Sequence, residues 1–224
     1  MYKPDRTFER REGMKVFIAC EFSGIVREAF KAKGHDAWSC DLLPTEIPGQ
    51  HIQGDVLEHL EDGWDMMIAF PPCTDLASSG AVYWPQKQAD GRQKKAIDFV
   101  LKLYFSEIKK VAVENPSGIL SSVWRQPDQI IHPYYFGDKY RKRTCLWLKN
   151  LLPLVYETED TLFAQKTIVE PVASWHSGST RGGKKKDGTR TKSLLPALHS
   201  GWKKRSLTFQ SIALAMASQW GGKG

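Results

Sequence analysis

No stretch of this 224-residue chain approaches the roughly 20 consecutive apolar residues that a membrane-spanning helix needs. The opening thirteen residues, MYKPDRTFERREG, carry charge but no apolar h-region, so no secretory leader is expected. Cysteine is scarce and scattered. Of the four, the nearest pair, Cys20 and Cys40, is twenty positions apart, which excludes the CxxC spacing of zinc ribbons and redox motifs. A chain this long buries enough surface to fold without disulfides, so reduced thiols in a cytoplasm are expected. His51, His132, His176 and His199 show no ligand spacing and HExxH does not occur, so no metal site is expected. Internal repeats are absent too. Secreted, membrane and metal-dependent classes drop out.

Acid is what one segment lacks. The whole chain has 32 Lys+Arg against 25 Asp+Glu, a net charge of +7. Between His176 and Arg205, nine basic residues (Arg181, Lys184, Lys185, Lys186, Arg190, Lys192, Lys203, Lys204 and Arg205) face Asp187 alone, so that segment carries +8 and the rest −1. It is rich in Gly, Ser and Thr and edged by Trp175 and Trp202. Such a stretch suits neutralising phosphates, and a nucleic acid is the expected partner; the alternative is a solvated loop.

The remainder alternates strands and helices. KVFIAC (15–20), Asp36–Cys40, His51–Gln53, Asp65–Phe70, Val111–Val113 and Thr144–Leu148 read as strands. Ile25–Lys33 reads as a helix stopped by Gly34. After a loop through Gln93, the spacing of Ile97, Val100, Leu101, Tyr104 and Ile108 predicts an amphipathic helix, and Phe209, Ile212, Met216 and Trp220 predict another from near Thr208. The pattern implies an α/β domain with a mainly parallel sheet. We expect an arm at 1–13, a core at 14–150, a small basic region at 151–205 and a helix at 206–224 completing the core.

Ligands of such sheets bind at the carboxyl ends of strands, and the chemically able residues follow predicted strand ends. Phe70-Pro71-Pro72-Cys73-Thr74 is a stiff loop, because two prolines fix φ and remove donors. It presents a thiol suited to nucleophilic attack, although a packing cysteine after a proline turn fits the same letters. Cys20, Cys40 and Cys145 lie in apolar stretches and read as buried packing. Glu114-Asn115-Pro116 puts a carboxylate and an amide at the same edge, or is an ordinary turn. Arg141-Lys142-Arg143 sets two guanidinium groups before a strand. Asp41, ending the second strand, is placed for ribose hydroxyls, as acids are in dinucleotide folds.

In this order these residues resemble the DNA (cytosine-5)-methyltransferase family, most closely the short forms of bacteriophages and prophages. Pro72-Cys73 is similar to its Pro-Cys loop, Glu114-Asn115 to its Glu-Asn motif, Arg141-Lys142-Arg143 to its Arg-x-Arg motif, and Ile18–Gly24 to its first motif. The resemblance covers most of 14–150 and the last helix. It implies a Rossmann-like S-adenosylmethionine-dependent methyltransferase fold with a short basic target-recognition insertion. It also implies a monomer in a bacterial cytoplasm that modifies cytosine flipped out of double-stranded DNA, with a place in restriction or in protection from it. It casts Cys73 as nucleophile toward cytosine C6, Glu114 as the acid at N3, and Arg141 and Arg143 beside the base. Glu21, Phe22, Ser23, Gly24, Asp41, Asp55 and Pro71 would meet the cofactor. The turn has Gly24 as its one glycine, and Thr74 stands where glutamine is common. Two other readings remain open: another donor or cytosine modification on the same nucleophile, and a non-catalytic DNA-binding module.

Overall fold

Four of the five side chains of Lys15–Ala19 (β1), Val16 to Ala19, are completely buried. A run that is apolar on both faces suits a strand covered from above and below. The computed structural model describes residues 13–159, 165–171, 173–174 and 208–222, and β1 lies inside a seven-stranded sheet. After it come α1 (Ile25–Lys31), β2 (Asp36–Asp41), β3 (His51–Gln53), β4 (Met66–Ala69), α2 (Trp84–Ala89) and α3 (Arg92–Tyr104). Then follow β5 (Lys110–Pro116), α4 (Leu120–Val123), β6 (Gln129–Ile131), β7 (Tyr140–Arg141), β8 (Thr144–Lys149), β9 (Ala173–Ser174) and α5 (Gln210–Trp220).

The sheet order is β3-β2-β1-β4-β5-β8-β6. Every pair from β3 to β5 is parallel, while β8 runs antiparallel to both β5 and β6. This is a mixed α/β, Rossmann-like architecture. The strand order turns back between β1 and β4, so the crevice at a topological switch point lies at their carboxyl ends. Side chains of β1 alternate between two cores. Val16 and Ile18 pack with Val26 and Phe30 of α1 and Met216 and Trp220 of α5. Phe17 and Ala19 pack with Val100 and Leu103 of α3. Among the described residues no helix is long and apolar enough to cross a membrane.

Several sequence expectations need correction. The segment expected to be loop through Gln93 contains a 3-10 turn, Ser78–Tyr83, and α2, with Pro85 in its first turn where a missing N–H costs nothing. The amphipathic helix ends at Tyr104; Ile108 lies beyond it, buried on the way into β5. Glu114, Asn115 and Pro116 belong to β5 instead of ending it, because β8 supplies pairing up to Pro116↔Thr144. Arg143 immediately precedes β8, so the arginine pair does lead into that strand. Arg141 ends β7, which pairs with β9 in a separate two-stranded sheet. The arm through residue 12, the basic residues from Arg181 to Arg205, and Trp175 and Trp202 lie outside the described residues.

Candidate active site

The switch point brings two loops together. Ala19 and Ala69 are partners in the parallel β1–β4 register, and the Phe70 N–H donates to the Ala19 carbonyl at 2.9 Å. Glu21–Gly24 therefore leaves one side of the crevice and Pro71–Thr74 the other. Ala69 is also level with Val113, which sets Glu114 alongside Phe70 and the loop that follows. Strand register alone thus places Cys73 and Glu114 on the same edge.

The Cys73 loop is braced at both ends. Pro71 is buried, and its carbonyl accepts from Asn115 Nδ2 at 2.9 Å. The Cys73 carbonyl accepts from the Leu76 and Ala77 N–H groups at 3.0 and 2.9 Å. Beyond that turn, Ala77 bridges Gly118, Ser78 N–H donates to Ser117 O, and Ile119 N–H donates to Leu76 O. From below, the buried Lys87 ammonium donates to the Thr74 carbonyl and pairs with Asp75 at 3.1 Å. Pro72, Cys73 and Thr74 themselves are exposed. A Cβ on Gly118 would stand 2.0 Å from the Leu76 carbonyl oxygen, so only glycine lets these loops meet. Gly118→Ala should cost about 1–3 kcal/mol, the usual range for forced overpacking. Calorimetry reads this as a lower Tm; an unchanged Tm would mean that the bracing is dispensable.

The other three thiols sit in different surroundings. All four cysteines are thiols, and Cys73 is the exposed one. Burial pushes the Cys20 thiol far up, helped by Asp41, Cys40 and Asp55, and Cys40 is pushed up to about 12 by burial and the same aspartates. Burial also raises Cys145, against the pull of Ser117 and Arg143. These three stay protonated and unreactive.

Glu114 has one carboxylate oxygen buried without a hydrogen-bond partner among the described residues. Burial raises its pKa above the usual carboxylate range, while the Lys142 charge and the Thr144 hydroxyl pull it down. Arg141 and Arg143 are exposed, and the Arg141 guanidinium lies 6.0 Å from the ring centre of Tyr134. Their charges act instead on His132, which follows β6 at the same edge. Burial and then Arg143 and Arg141 hold that imidazole below its ordinary pKa, and its Nδ1 is buried without a partner among the described residues. Lys142 and His132 are two residues that the sequence alone does not single out as site candidates. Lys142 stands there only as the spacer between arginines, and His132 follows a strand too short to register as a pattern.

Across the crevice the acids collect. Glu21 is 4% exposed; one oxygen accepts from the Ser23 hydroxyl and, at 3.3 Å, from the Val26 N–H, while the other has no partner among the described residues. Burial raises its pKa, with the Ser23 bond the largest opposing cause. Gly24 has φ 79°, and a Cβ there would lie 2.6 Å from Arg27 and 2.9 Å from Ile47. Phe22 is buried beside them. Asp41 accepts from the Leu43 N–H at 2.9 Å and Asp55 caps a 3-10 turn by accepting from Leu57 at 3.0 Å. Each uses one oxygen locally, so both the structural and the ligand reading stay compatible with the geometry.

The loop after Asp41 is held by a buried cation that the sequence pattern does not reveal. Arg27 is completely buried, donating to Ser39 Oγ at 2.9 Å, Thr45 Oγ1 at 3.2 Å, the Ile47 carbonyl, and Glu28 at 2.8 Å. The Ser39 hydroxyl then donates to His51 Nδ1, and His51 Nε2 donates to the Leu43 carbonyl, both at 2.9 Å. Because Arg27 can only donate, this chain fixes the hydroxyl direction and the imidazole tautomer. The carboxyl edge as a whole is polar in charge: acids at the ends of β1 to β3, and bases from Arg141 to Arg143 beyond β5.

No family model matches the chain, and no curated protein matches it. Among solved structures, it is similar to a protein named as a DNA modification methyltransferase encoded within an E. coli prophage. Identity is 17% and the TM-score 0.43, over 71% of this chain and 53% of that one, so the chain spans about half of that protein's length. A likeness this loose does not bear on activity. Among the described residues no group of three His, Cys, Asp or Glu is placed to hold a metal.

Proposed function

We propose that the chain is an S-adenosylmethionine-dependent DNA methyltransferase that acts on C5 of a cytosine flipped out of the duplex. The observation that carries this reading is the pairing, on one sheet edge, of an exposed thiol on a braced proline loop with a buried carboxyl of raised pKa. Cytosine C5 is a weak nucleophile. Addition of the Cys73 thiolate to C6, forming the S–C6 bond, pushes the ring electrons toward C5 and N3. A proton held on Glu114 and given to N3 neutralises the charge that develops there. Once C5 carries the methyl group, a base removes its proton and the C5–C6 double bond re-forms. The S–C6 bond breaks to release the Cys73 thiolate, and the N3 proton returns to Glu114. Burial is what keeps that proton on the carboxyl, the same device by which acids are tuned elsewhere. Arg141 and Arg143 supply positive charge near the base and phosphates. Unstacking the base costs a few kcal/mol, which phosphate contacts offset.

The residues present fit the cofactor. S-adenosylmethionine supplies an electrophilic methyl group, and it carries a sulfonium and an α-ammonium charge. Glu21, with a buried oxygen lacking a partner among the described residues, suits the ammonium; Gly24, at φ 79°, makes the tight turn that follows Glu21; Asp41 and Asp55 suit ribose hydroxyls and an adenine amine. A cation against Glu21 favours its ionised form, so binding should release protons because burial has raised the pKa of the free protein. Glu21→Gln should weaken binding about 10- to 100-fold, the worth of a charge-assisted bond, and abolish the release. Titration calorimetry in buffers of different ionisation enthalpy reads both. Equal affinity and equal proton release would remove Glu21 from the cofactor site.

The reaction itself is tested by nucleoside mass spectrometry on unmodified duplex incubated with protein and S-adenosylmethionine. The expected product is 5-methyl-2′-deoxycytidine. A methyl group on adenine N6 would overturn the mechanism, and a different added mass would point to another donor.

A further inference from the structure

We propose that a cavity beside the nucleophile loop is a second nucleotide-binding pocket, holding a sugar-phosphate unit and base that flank the target cytosine. This rests on the DNA-modifying reading above and assigns a DNA contact separate from the basic segment at 176–205. The cavity has a volume of about 310 Å³ and is lined by Pro72, Asp75, Arg92, Lys95, Ala96 and Phe99. That is at the lower end of the range for small-ligand sites.

Position comes first. Pro72, which lines the cavity, immediately precedes Cys73, so the cavity adjoins the nucleophile loop. The helix α3 lies between the parallel strands β4 and β5 and runs back against them, which sets its first turns at the carboxyl edge. Gln93, buried in that first turn, donates to the Asp75 carbonyl at 3.2 Å and ties helix and loop together. A strand whose target nucleotide lies over Cys73 would then bring a neighbouring nucleotide to this surface.

Chemistry agrees with position. Pro72, Ala96 and Phe99 make an apolar floor with one aromatic ring, and Arg92 and Lys95 stand exposed at its rim. The one acid of the lining, Asp75, is already matched by buried Lys87 at 3.1 Å. Lys95 has no ion-pair partner among the described residues. Arg92 is held by Asp90 at 2.8 Å, an exposed pair that a phosphate can displace. The first turn of α3 holds Arg92, Lys94 and Lys95 and no acid. Asp90, just before the helix, accepts from the Arg92 N–H at 3.0 Å, and Lys94 pairs with Asp98 at 2.7 Å, so Lys95 is the cation of this turn left for a phosphate. An aromatic face bordered by cations is the combination that holds a nucleotide: the ring stacks and the cations meet the backbone.

The test uses the full chain and a fluorescein-labelled 20-base-pair duplex, with anisotropy measured from 50 to 300 mM KCl. Arg92→Ala combined with Lys95→Ala should lower the slope of log K against log salt by about 0.9, the value for the one phosphate that the variant no longer neutralises. Phe99→Ala should weaken binding about tenfold at every salt concentration with the slope unchanged, since stacking carries no counterions. Thermal melts confirm that both proteins fold. A double variant that keeps the parent slope, or a parent that does not bind duplex, overturns the pocket. Failure of the two readings is distinguishable. If the parent methylates cytosine and the double variant keeps its slope, the pocket alone is wrong. If the slope falls as expected but no modified nucleoside forms, the pocket stands and the reaction is wrong.

Discussion

Cys73→Ala should yield a protein that folds, binds duplex DNA and forms no detectable 5-methylcytosine. The expectation of normal folding follows from exposure. Cys73 contributes its carbonyl to the turn at Leu76 and Ala77, and alanine keeps that carbonyl. A substitution on an exposed side chain ordinarily moves stability by no more than about 0.5 kcal/mol. The expected loss of product follows from chemistry, because no other thiol replaces it. Cys20, Cys40 and Cys145 all have raised pKa values, and at neutral pH none supplies much thiolate. The check is direct. A duplex carrying 5-fluorocytosine, incubated with S-adenosylmethionine, should trap the parent in a denaturant-resistant adduct and leave the variant untouched. Methylation retained by Cys73→Ala would end the covalent mechanism, and an adduct formed by the variant would relocate the nucleophile.

Much of the frame that holds this thiol was legible in the letters. KVFIA and MMIA are apolar on both faces, and such runs sit in the middle of a parallel sheet because nothing else buries both faces of a strand. The prolines after Phe70 marked the loop, and the strand ends located Glu21, Asp41 and Glu114 on one edge. What stayed hidden depends on partners distant in sequence. β6, β7 and β9 have three, two and two residues, too few for any periodicity, and each exists through its neighbour. Glu114 and Asn115 looked like a turn because Pro116 follows them; antiparallel pairing with β8 carries the strand past that point. Arg27 lies among the apolar residues of α1, and nothing in the letters marks it as buried. It is buried because Ser39, Thr45 and the Ile47 carbonyl, supplied by the next strand and its loop, take up its donors. Lys142 illustrates the same limit within the site: of the three cations in a row, the middle one acts on Glu114, and no one-dimensional pattern separates it from its flanking arginines.

Glu114→Gln should trade activity for stability, and pH should show why. Burial lifts the folded-state pKa of Glu114 above the ordinary 4.5. The folded chain therefore holds this proton more tightly than the unfolded chain. That contribution to stability is complete below the unfolded value and is lost as pH rises through the folded one. Above it, the parent carries a buried carboxylate with an oxygen that has no partner among the described residues. Glutamine stays neutral throughout, so the variant should gain about 1–3 kcal/mol over the parent at alkaline pH. In a chain of this length that raises Tm by a few degrees. Near pH 4 the gap should close. Activity moves the other way. The parent rate should fall as pH rises through the same folded pKa, because the proton destined for N3 is then gone. The variant should lose about 10²- to 10⁴-fold at any pH, the usual share of a general acid. One group thus links two curves, the difference in calorimetric stability between parent and variant and the parent's methylation rate. Both should change over the same interval of rising pH, because Glu21, also raised by burial, contributes equally to both proteins. Curves that break at different pH values would separate the buried carboxyl from the acid of the reaction. A variant with parental rate would leave Glu114 a structural residue and pass the N3 proton to a neighbour such as Lys142.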